Sequence, residues 1–273
     1  MLSGLSGSPR YVLDTNLVGT LHALEFARAR VATLLFLSTS RVYSIAPLQN
    51  LGLKEEETRL EIAPQQNFRG ISEAGISESF TTEEVRSFYG ASKLASELLV
   101  QEYANAYGFQ AIINRSGVIA GPGQFGKVDQ GVFTLWIANH YFGKPLSYTG
   151  FGGKGKQVRD LLHPSDLFDL LESQTERAHK YSGSVFNIGG GRDISTSLLE
   201  WTLAARNATG RETAVGTNLT TSPVDIPLYL SDYGKAQAAF SWRPKWSCEE
   251  IAKDIADWIR KNESELRGIF AAD

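Results

Sequence analysis

The 273 residues predict an α/β chain built on a parallel sheet, and three stretches carry that prediction. VATLLFLSTSRVYS, residues 31–44, is a short apolar run ending in three hydroxyl residues, as a buried strand with functional side chains at its C-terminal end would be. SFYGASKLASELLVQEYANAYG, residues 87–108, reads as a helix: Ala, Leu, Glu and Lys dominate, and Leu94, Leu98 and Tyr103 recur at helical spacing. A second buried strand, Ala111 to Arg115, follows it. In open α/β sheets, ligands bind at the C-terminal ends of such strands.

Bulk properties narrow the class. Apolar content of 42% and charged content of 21% are those of an ordinary globular protein. A net charge of −3 gives no reason to expect nucleic acid or an anionic membrane as partner. The single cysteine, Cys248, excludes an internal disulfide, and His22, His140, His163 and His179 are too dispersed for a metal site. No apolar run reaches membrane-spanning length and no signal-peptide pattern is present, so a soluble, cytoplasmic protein is expected.

Taken in order, residues 1–10 are small and flexible in composition, and residues 11–29 form an amphipathic helix with Val12, Leu17, Leu21, Leu24 and Ala27 on its buried side. After the strand at 31–44 comes a long polar segment to Tyr89 with an acidic block, Glu55-Glu56-Glu57; it is either a lid or a solvated insertion. On the helix that follows, Tyr89 and Lys93 lie one turn apart on one face. A phenol titrates near pH 10, and a nearby ammonium favours the phenolate, which makes such a Tyr usable as an acid/base near neutrality. Taken alone, the pair is equally an ordinary surface Tyr and Lys. Its value comes from the hydroxyl-bearing strand before it.

The remaining segments hold two false leads. Gly150-FGGK-Gly155-Lys156 has P-loop spacing, but Gln157 stands where Ser/Thr would hold magnesium. The residues after it run to Pro164, which suits an extended segment and a helix starting near Asp166. Residues 184–210 read as strand, glycine turn and helix with Ser195 as N-cap, but Gly189-Gly190-Gly191 does not satisfy G-x-G-x-x-G. A Pro-bearing loop and an amphipathic helix close the sequence.

Strand–Ser38-Thr39-Ser40–x–Val42-Tyr43 followed by Tyr89-x-x-x-Lys93 resembles the extended short-chain dehydrogenase/reductases, the NAD-dependent epimerase/dehydratase family acting on sugar nucleotides. The long 43–89 segment and the later blocks resemble most the CDP-paratose 2-epimerase (CDP-tyvelose epimerase) branch. The resemblance runs to about residue 270. It implies a partial Rossmann-type doubly wound parallel sheet, with residues 1–120 as the C-terminal part of the NAD-binding domain. Residues 121–273 would then form a smaller substrate-binding lobe, interleaved with a Rossmann strand and helix near 163–191.

The resemblance also implies roles. Thr39, Tyr89 and Lys93 would be catalytic, with Lys93 lowering the Tyr89 pKa. Asn16, Ser38, Tyr89 and Lys93 would hold NAD, Asn16 by bonding to the neighbouring sheet and cofactor region, with Gly19 giving close helix–strand packing. Lys127, in a segment similar to the branch's substrate loop, and Gln157, Arg159 and Arg192 would contact a nucleotide-sugar substrate, Arg159 at its diphosphate. Lys127 with Asp129 reads equally as a surface ion pair, and Arg192 as solvated. Val118 replaces the family's substrate-contacting Asn, and Ser40-Arg41 lack the acid that a 4,6-dehydratase needs. The implied reaction is C2 epimerisation of a CDP-3,6-dideoxyhexose through a keto sugar. A different NAD(P)-linked sugar-nucleotide oxidoreductase, or an inactive binding protein, remains open. A homodimer is expected through helices 11–29 and 87–107, unless Leu94, Leu98 and Tyr103 all face the sheet. The family's first strand and its Gly-x-x-Gly-x-x-Gly turn have no counterpart before residue 31, so the sequence is expected to be a fragment that binds NAD weakly.

Overall fold

The computed structural model describes residues 7–126 and 131–270. Helix α1 (Pro9–Leu13) passes through a π turn at Asp14–Val18 into α2 (Gly19–Arg30), and β1 (Leu34–Thr39) follows. Next come α3 (Ile45–Gln49) and two small hairpins, β2 (Leu53–Glu55) with β3 (Leu60–Ile62) and β4 (Ile71–Ser72) with β5 (Gly75–Ile76). The Tyr89 helix, α4 (Phe88–Tyr107), starts at Ser87, whose hydroxyl accepts the Gly90 N–H at 3.2 Å, and stops at Gly108 in the left-handed conformation. Beyond it lie β6 (Ala111–Ser116), β7 (Val118–Ile119), α5 (Val132–Phe142), β8 (Leu146–Thr149) and β9 (Val158–Leu162). The rest comprises α6 (Pro164–Tyr181), β10 (Val185–Ile188), β11 (Ser195–Ser197), α7 (Leu198–Thr209), β12 (Val215–Asn218), β13 (Leu228–Tyr229), α8 (Gly234–Phe240), α9 (Cys248–Lys261) and α10 (Glu263–Phe270).

Strands β1, β6 and β10 form a parallel sheet in that order, with Leu35 opposite Ile112 and Ile113 opposite Val185. Successive side chains of a strand point to opposite faces, and both faces of β6 are covered. Ala111 and Ile113 pack with Leu24, Ala27, Val100 and Ala104, while Ile112 packs with Leu167, Leu170 and Phe240. This two-sided cover explains an apolar run without alternation. A second sheet has the order β11-β9-β13, with β7 beside β9. Its own core is built by α5, α7 and α9, around Trp136, Trp201 and Ile255.

Several expectations need correcting. Val12, Leu24 and Ala27 are buried, but Leu17 and Leu21 are only half-buried. Gly19 is exposed and a Cβ there would meet nothing within 4 Å, so it mediates no close packing. Helix α7 is capped by Ser197 and not by Ser195, because residues 195–197 first pair with β9; Ser197 and Glu200 form the capping box. As the sequence predicts, no helix opens at Lys156: a short turn at Phe151–Gly153 leads to β9, and α6 begins at Pro164 with His163 Nδ1 accepting the Ser165 N–H at 3.2 Å. The acidic block stays exposed at Glu55 and Glu57 but is anchored by ion pairs. Glu55 pairs with Lys154 at 3.0 Å and Lys156 at 2.9 Å, and Thr58 donates to Glu200 at 2.6 Å. These contacts fasten the β2–β3 hairpin to the glycine turn and to the start of α7. Among the described residues, no helix is long and apolar enough to cross a membrane, and no group of three His, Cys, Asp or Glu could hold a metal.

Candidate active site

Tyr89 comes to Thr39 because the backbone leaves no gap between their elements. A Cβ on Gly90 would stand 2.1 Å from the Arg41 carbonyl oxygen, so the first turn of α4 presses directly on the turn after β1. That turn is a 3-10 segment, Ser40–Val42, whose Arg41 N–H donates to Thr39 Oγ1 at 3.2 Å. The Thr39 hydroxyl stands beside the Tyr89 phenol. Burial pushes the Tyr89 phenol above its ordinary value, against the Thr39 hydroxyl and the Arg41 guanidinium, which both pull it down.

Lys93 departs from the expected role. Its Nζ donates to the Leu37 carbonyl at 2.6 Å and lies 4.1 Å from the Phe36 ring centre. The cation acting on Tyr89 is Arg41, not Lys93. Burial draws the Lys93 ammonium below its ordinary value, and Glu97 opposes that. One of the ammonium's three donors is engaged among the described residues, which leaves hydrogen-bonding capacity at the C-terminal end of β1. This set, a phenol, a Thr hydroxyl and an ammonium, fits the nicotinamide-ribose end of NAD.

Two other residues expected at the cofactor are turned elsewhere. Ser38 Oγ donates to Glu97 at 2.5 Å inside the core. Asn16 bonds not to the sheet but to the Tyr89 helix: its Nδ2 donates to Ser92 Oγ at 3.0 Å, and Ser92 Oγ in turn donates to the Tyr89 carbonyl at 2.8 Å. The π turn carrying Asn16 thus braces α4 just where Tyr89 and Lys93 sit.

Of the substrate residues, Arg159 reaches the same region. Its Nη2 donates to Asp225 at 2.9 Å and to the Ile226 carbonyl at 2.7 Å. Arg41 lies 3.9 Å from the same Asp225 oxygen and donates to the Val224 carbonyl at 3.3 Å. Burial, the like charge of Arg159 and then the opposing Asp225 and Tyr89 set the Arg41 guanidinium at about 10. Tyr89, Arg41, Asp225 and Arg159 therefore form one continuous electrostatic group. Gln157 is buried two residues before Arg159; its Nε2 donates to the Thr149 carbonyl at 3.3 Å, and its Oε1 has no partner among the described residues. Arg192 is half-exposed and pairs with Glu61 at 3.3 Å. Lys127 and Asp129 lie outside the described residues. Asp160 and His163, read as structural, are so engaged: Asp160 accepts the Gly191 and Ser231 N–H groups at 3.1 Å, and His163 bonds to Asp254 at 3.1 Å.

Arg41 and Asp225 were not legible as site residues. Arg41 directly follows the hydroxyl cluster, where its position marks only the lack of an acid. Asp225 sits in a Pro-bearing loop whose course no local pattern fixes.

A Thr hydroxyl, a phenol and an ammonium are thus gathered at the C-terminal end of a parallel strand, the end at which open α/β sheets bind ligands. The chain belongs to the NAD dependent epimerase/dehydratase family, whose profile matches residues 6–189. It is 30% identical over 259 residues to a CDP-paratose 2-epimerase of Salmonella typhi, covering 92% of this chain and 72% of the relative. A dTDP-glucose 4,6-dehydratase of Xanthomonas campestris is 26% identical over 271 residues, covering 96% of this chain and 70% of the relative. Among solved structures, the UDP-glucuronic acid 4-epimerase of Bacillus cereus with UDP-glucuronic acid and NAD superposes with a TM-score of 0.70 at 23% identity. That match covers 91% of this chain and 68% of the other, and shows the shared fold.

Proposed function

We infer that the chain belongs to an epimerase that inverts C2 of a CDP-3,6-dideoxyhexose through a keto sugar. The observation that carries this reading is the Thr39–Tyr89 hydroxyl pair, held against Arg41 at the end of β1. NAD, when bound, supplies the chemistry of accepting a hydride from the sugar carbon and returning it. Tyr89 takes the hydroxyl proton from the sugar and gives it back, and Thr39 bonds the same oxygen and fixes its orientation. Lys93, directed by the Leu37 carbonyl, offers its other donors to the nicotinamide ribose. Arg159 and Arg41 face the substrate side, where a diphosphate's oxygens suit forked guanidinium donors. The C2 assignment is supported by the similarity to the Salmonella typhi enzyme. Elimination is disfavoured because Ser40 and Arg41 stand where a dehydratase needs an acid.

The test is conversion of a CDP-3,6-dideoxyhexose deuterated at C2, followed by NMR with NAD supplied. Inversion with the deuterium kept at C2 is expected, because a hydride route never releases it to water. Washout of the label, or elimination instead of inversion, would sink the reading.

We further infer self-association through α2 and α4. Leu98 is 58% exposed and Phe26 63% exposed, and Tyr11 and Tyr107 add to the same apolar exposure. Leu94 and Tyr103 instead pack partly inward.

A further inference from the structure

Tyr89, Lys93 and Glu97 follow one another at intervals of four residues, so all three lie on one side of α4. The first two are the acid–base pair of the reading above, on which this inference rests. Glu97 is 2% exposed and takes no part in that chemistry. A carboxylate this deep is tolerated only when its oxygens are saturated. Ser38 Oγ donates to Oε1 at 2.5 Å, Arg115 Nε to both oxygens at 3.1 Å, and Arg115 Nη2 to Oε2 at 2.7 Å. Each partner belongs to a different strand. Ser38 immediately precedes Thr39 on β1, and Arg115 comes from β6, where the next residue, Ser116, donates to the Ser38 carbonyl at 3.0 Å.

The network continues outward. The Arg115 guanidinium stands 5.1 Å from the Tyr43 ring centre, and the Tyr43 hydroxyl donates to Asn187 Oδ1 at 2.7 Å on β10. Asn187 then donates to the Ile76 carbonyl and to Glu78, both at 2.7 Å, tying in the segment that precedes Tyr89.

We propose that Glu97 is a positioning residue for the Thr39–Tyr89–Lys93 group: it fixes the end of β1 against α4 so that Thr39 meets Tyr89 and the Leu37 carbonyl meets Lys93. A residue that merely filled the core would need no charge. Glu97's charge also acts on Lys93, helping a half-buried ammonium keep its proton. Tyr89 lies one turn before Lys93 on the same helix face, and Arg115 stands behind Glu97 as its ion-pair partner. From β1, Lys93 meets a carbonyl and an aromatic ring.

The decisive measurement is NMR titration of protein labelled at lysine Cε with carbon-13, without substrate or cofactor, the Lys93 signal being assigned by its loss in Lys93→Arg. In Glu97→Gln the Lys93 midpoint is expected to fall by about half a pH unit, ~3-fold in proton affinity, while Glu97→Asp stays with the wild type. An unmoved midpoint in Glu97→Gln overturns the proposal. If Glu97→Gln does not fold, Ser38→Ala keeps the ion pair and removes only the link to β1. Its kcat should drop on the order of tenfold or more at unchanged KM, and a wild-type kcat there overturns the proposal as well. The titration involves no turnover, so its failure is distinct from a failure of the epimerase reading, which the C2 label decides.

Discussion

Asp160→Asn gives a stability change with a defined pH dependence. Asp160 is fully buried between glycines: a Cβ on Gly189 would lie 2.1 Å from Oδ2, and one on Gly117 2.6 Å from Oδ1. Oδ2 accepts two backbone N–H groups, but Oδ1 has no partner among the described residues. Burial therefore outweighs the hydrogen bonds and raises the carboxyl from 3.8 to about 6. The folded state holds this proton more tightly than the unfolded chain, so the associated stability is present at low pH and lost as pH rises through the interval from 3.8 to about 6. At 1.36 kcal/mol per pH unit, the loss reaches about 3 kcal/mol by pH 7. Asparagine is nearly isosteric, can accept the same two N–H groups and cannot ionise. Asp160→Asn should match the wild type near pH 4 and exceed it by about 3 kcal/mol at pH 8, or roughly 6 °C in Tm for a chain of this size. Urea unfolding of both proteins at the two pH values, followed by tryptophan fluorescence, reads the difference directly. Other carboxylates titrate in both proteins and cancel. A stability difference that is the same at pH 4 and pH 8 would refute the reasoning.

Tyr89→Phe should lower epimerase kcat by about 10²–10⁴-fold with substrate binding nearly unchanged, as removal of a general acid/base does; steady-state kinetics and substrate titration check this. Lys93→Met should impair both rate and NAD retention, because it removes the donor that Leu37 now directs, and calorimetric titration with NAD is the measure. Gly90→Ala should cost on the order of 1–3 kcal/mol and slow turnover, since its Cβ would meet a backbone oxygen that must move together with Thr39; denaturation midpoints and kcat report the two effects. A charged substitution of Leu98 or Phe26 should convert a sedimenting dimer to monomer, and a monomer in the unmodified protein at micromolar concentration would count against the α2–α4 interface.

The sequence exposed those parts of the fold in which one residue's neighbours decide its state. β6 was readable because its continuous apolar run is buried on both faces, and α4 because Ser87 and Gly108 bound it chemically. β1, the outer strand of the described sheet, departs from the buried strand expected, with Leu34, Leu35 and Phe36 half-buried and Leu37 exposed. The hydroxyl strand and the Tyr-x-x-x-Lys spacing were readable for the same reason. What could not be read depends on contacts between residues far apart in the chain. Ser38 and Thr39 are adjacent hydroxyls, yet strand alternation sends Ser38 to Glu97 and leaves Thr39 for Tyr89. The Ser197 cap displaced Ser195 because residues 195–197 had a strand partner in β9, which local propensity does not contain. The acidic block found its lysines some hundred residues further along, at Lys154 and Lys156.

The redistribution of charge around Tyr89 follows from these long-range contacts. A four-residue spacing places Lys93 on the same face as Tyr89, but a flexible four-carbon side chain settles where its ammonium loses least hydration. A strand-end carbonyl with an aromatic ring beside it supplies such a place one residue short of the Ser38–Thr39 pair. Arg41 has less freedom. Its backbone is pinned by Thr39 and Gly90, and its guanidinium is tied to Val224 and the Asp225 carboxylate, so its charge stays beside the phenol. Because Asp225 also holds Arg159, a group that draws Arg159 towards substrate phosphate would shift the carboxylate's balance between the two guanidiniums. In this geometry, a pull on Arg159 is passed to Arg41, and so to the Tyr89 phenol, through a single carboxylate, and only the assembled loop at 222–226 makes that link.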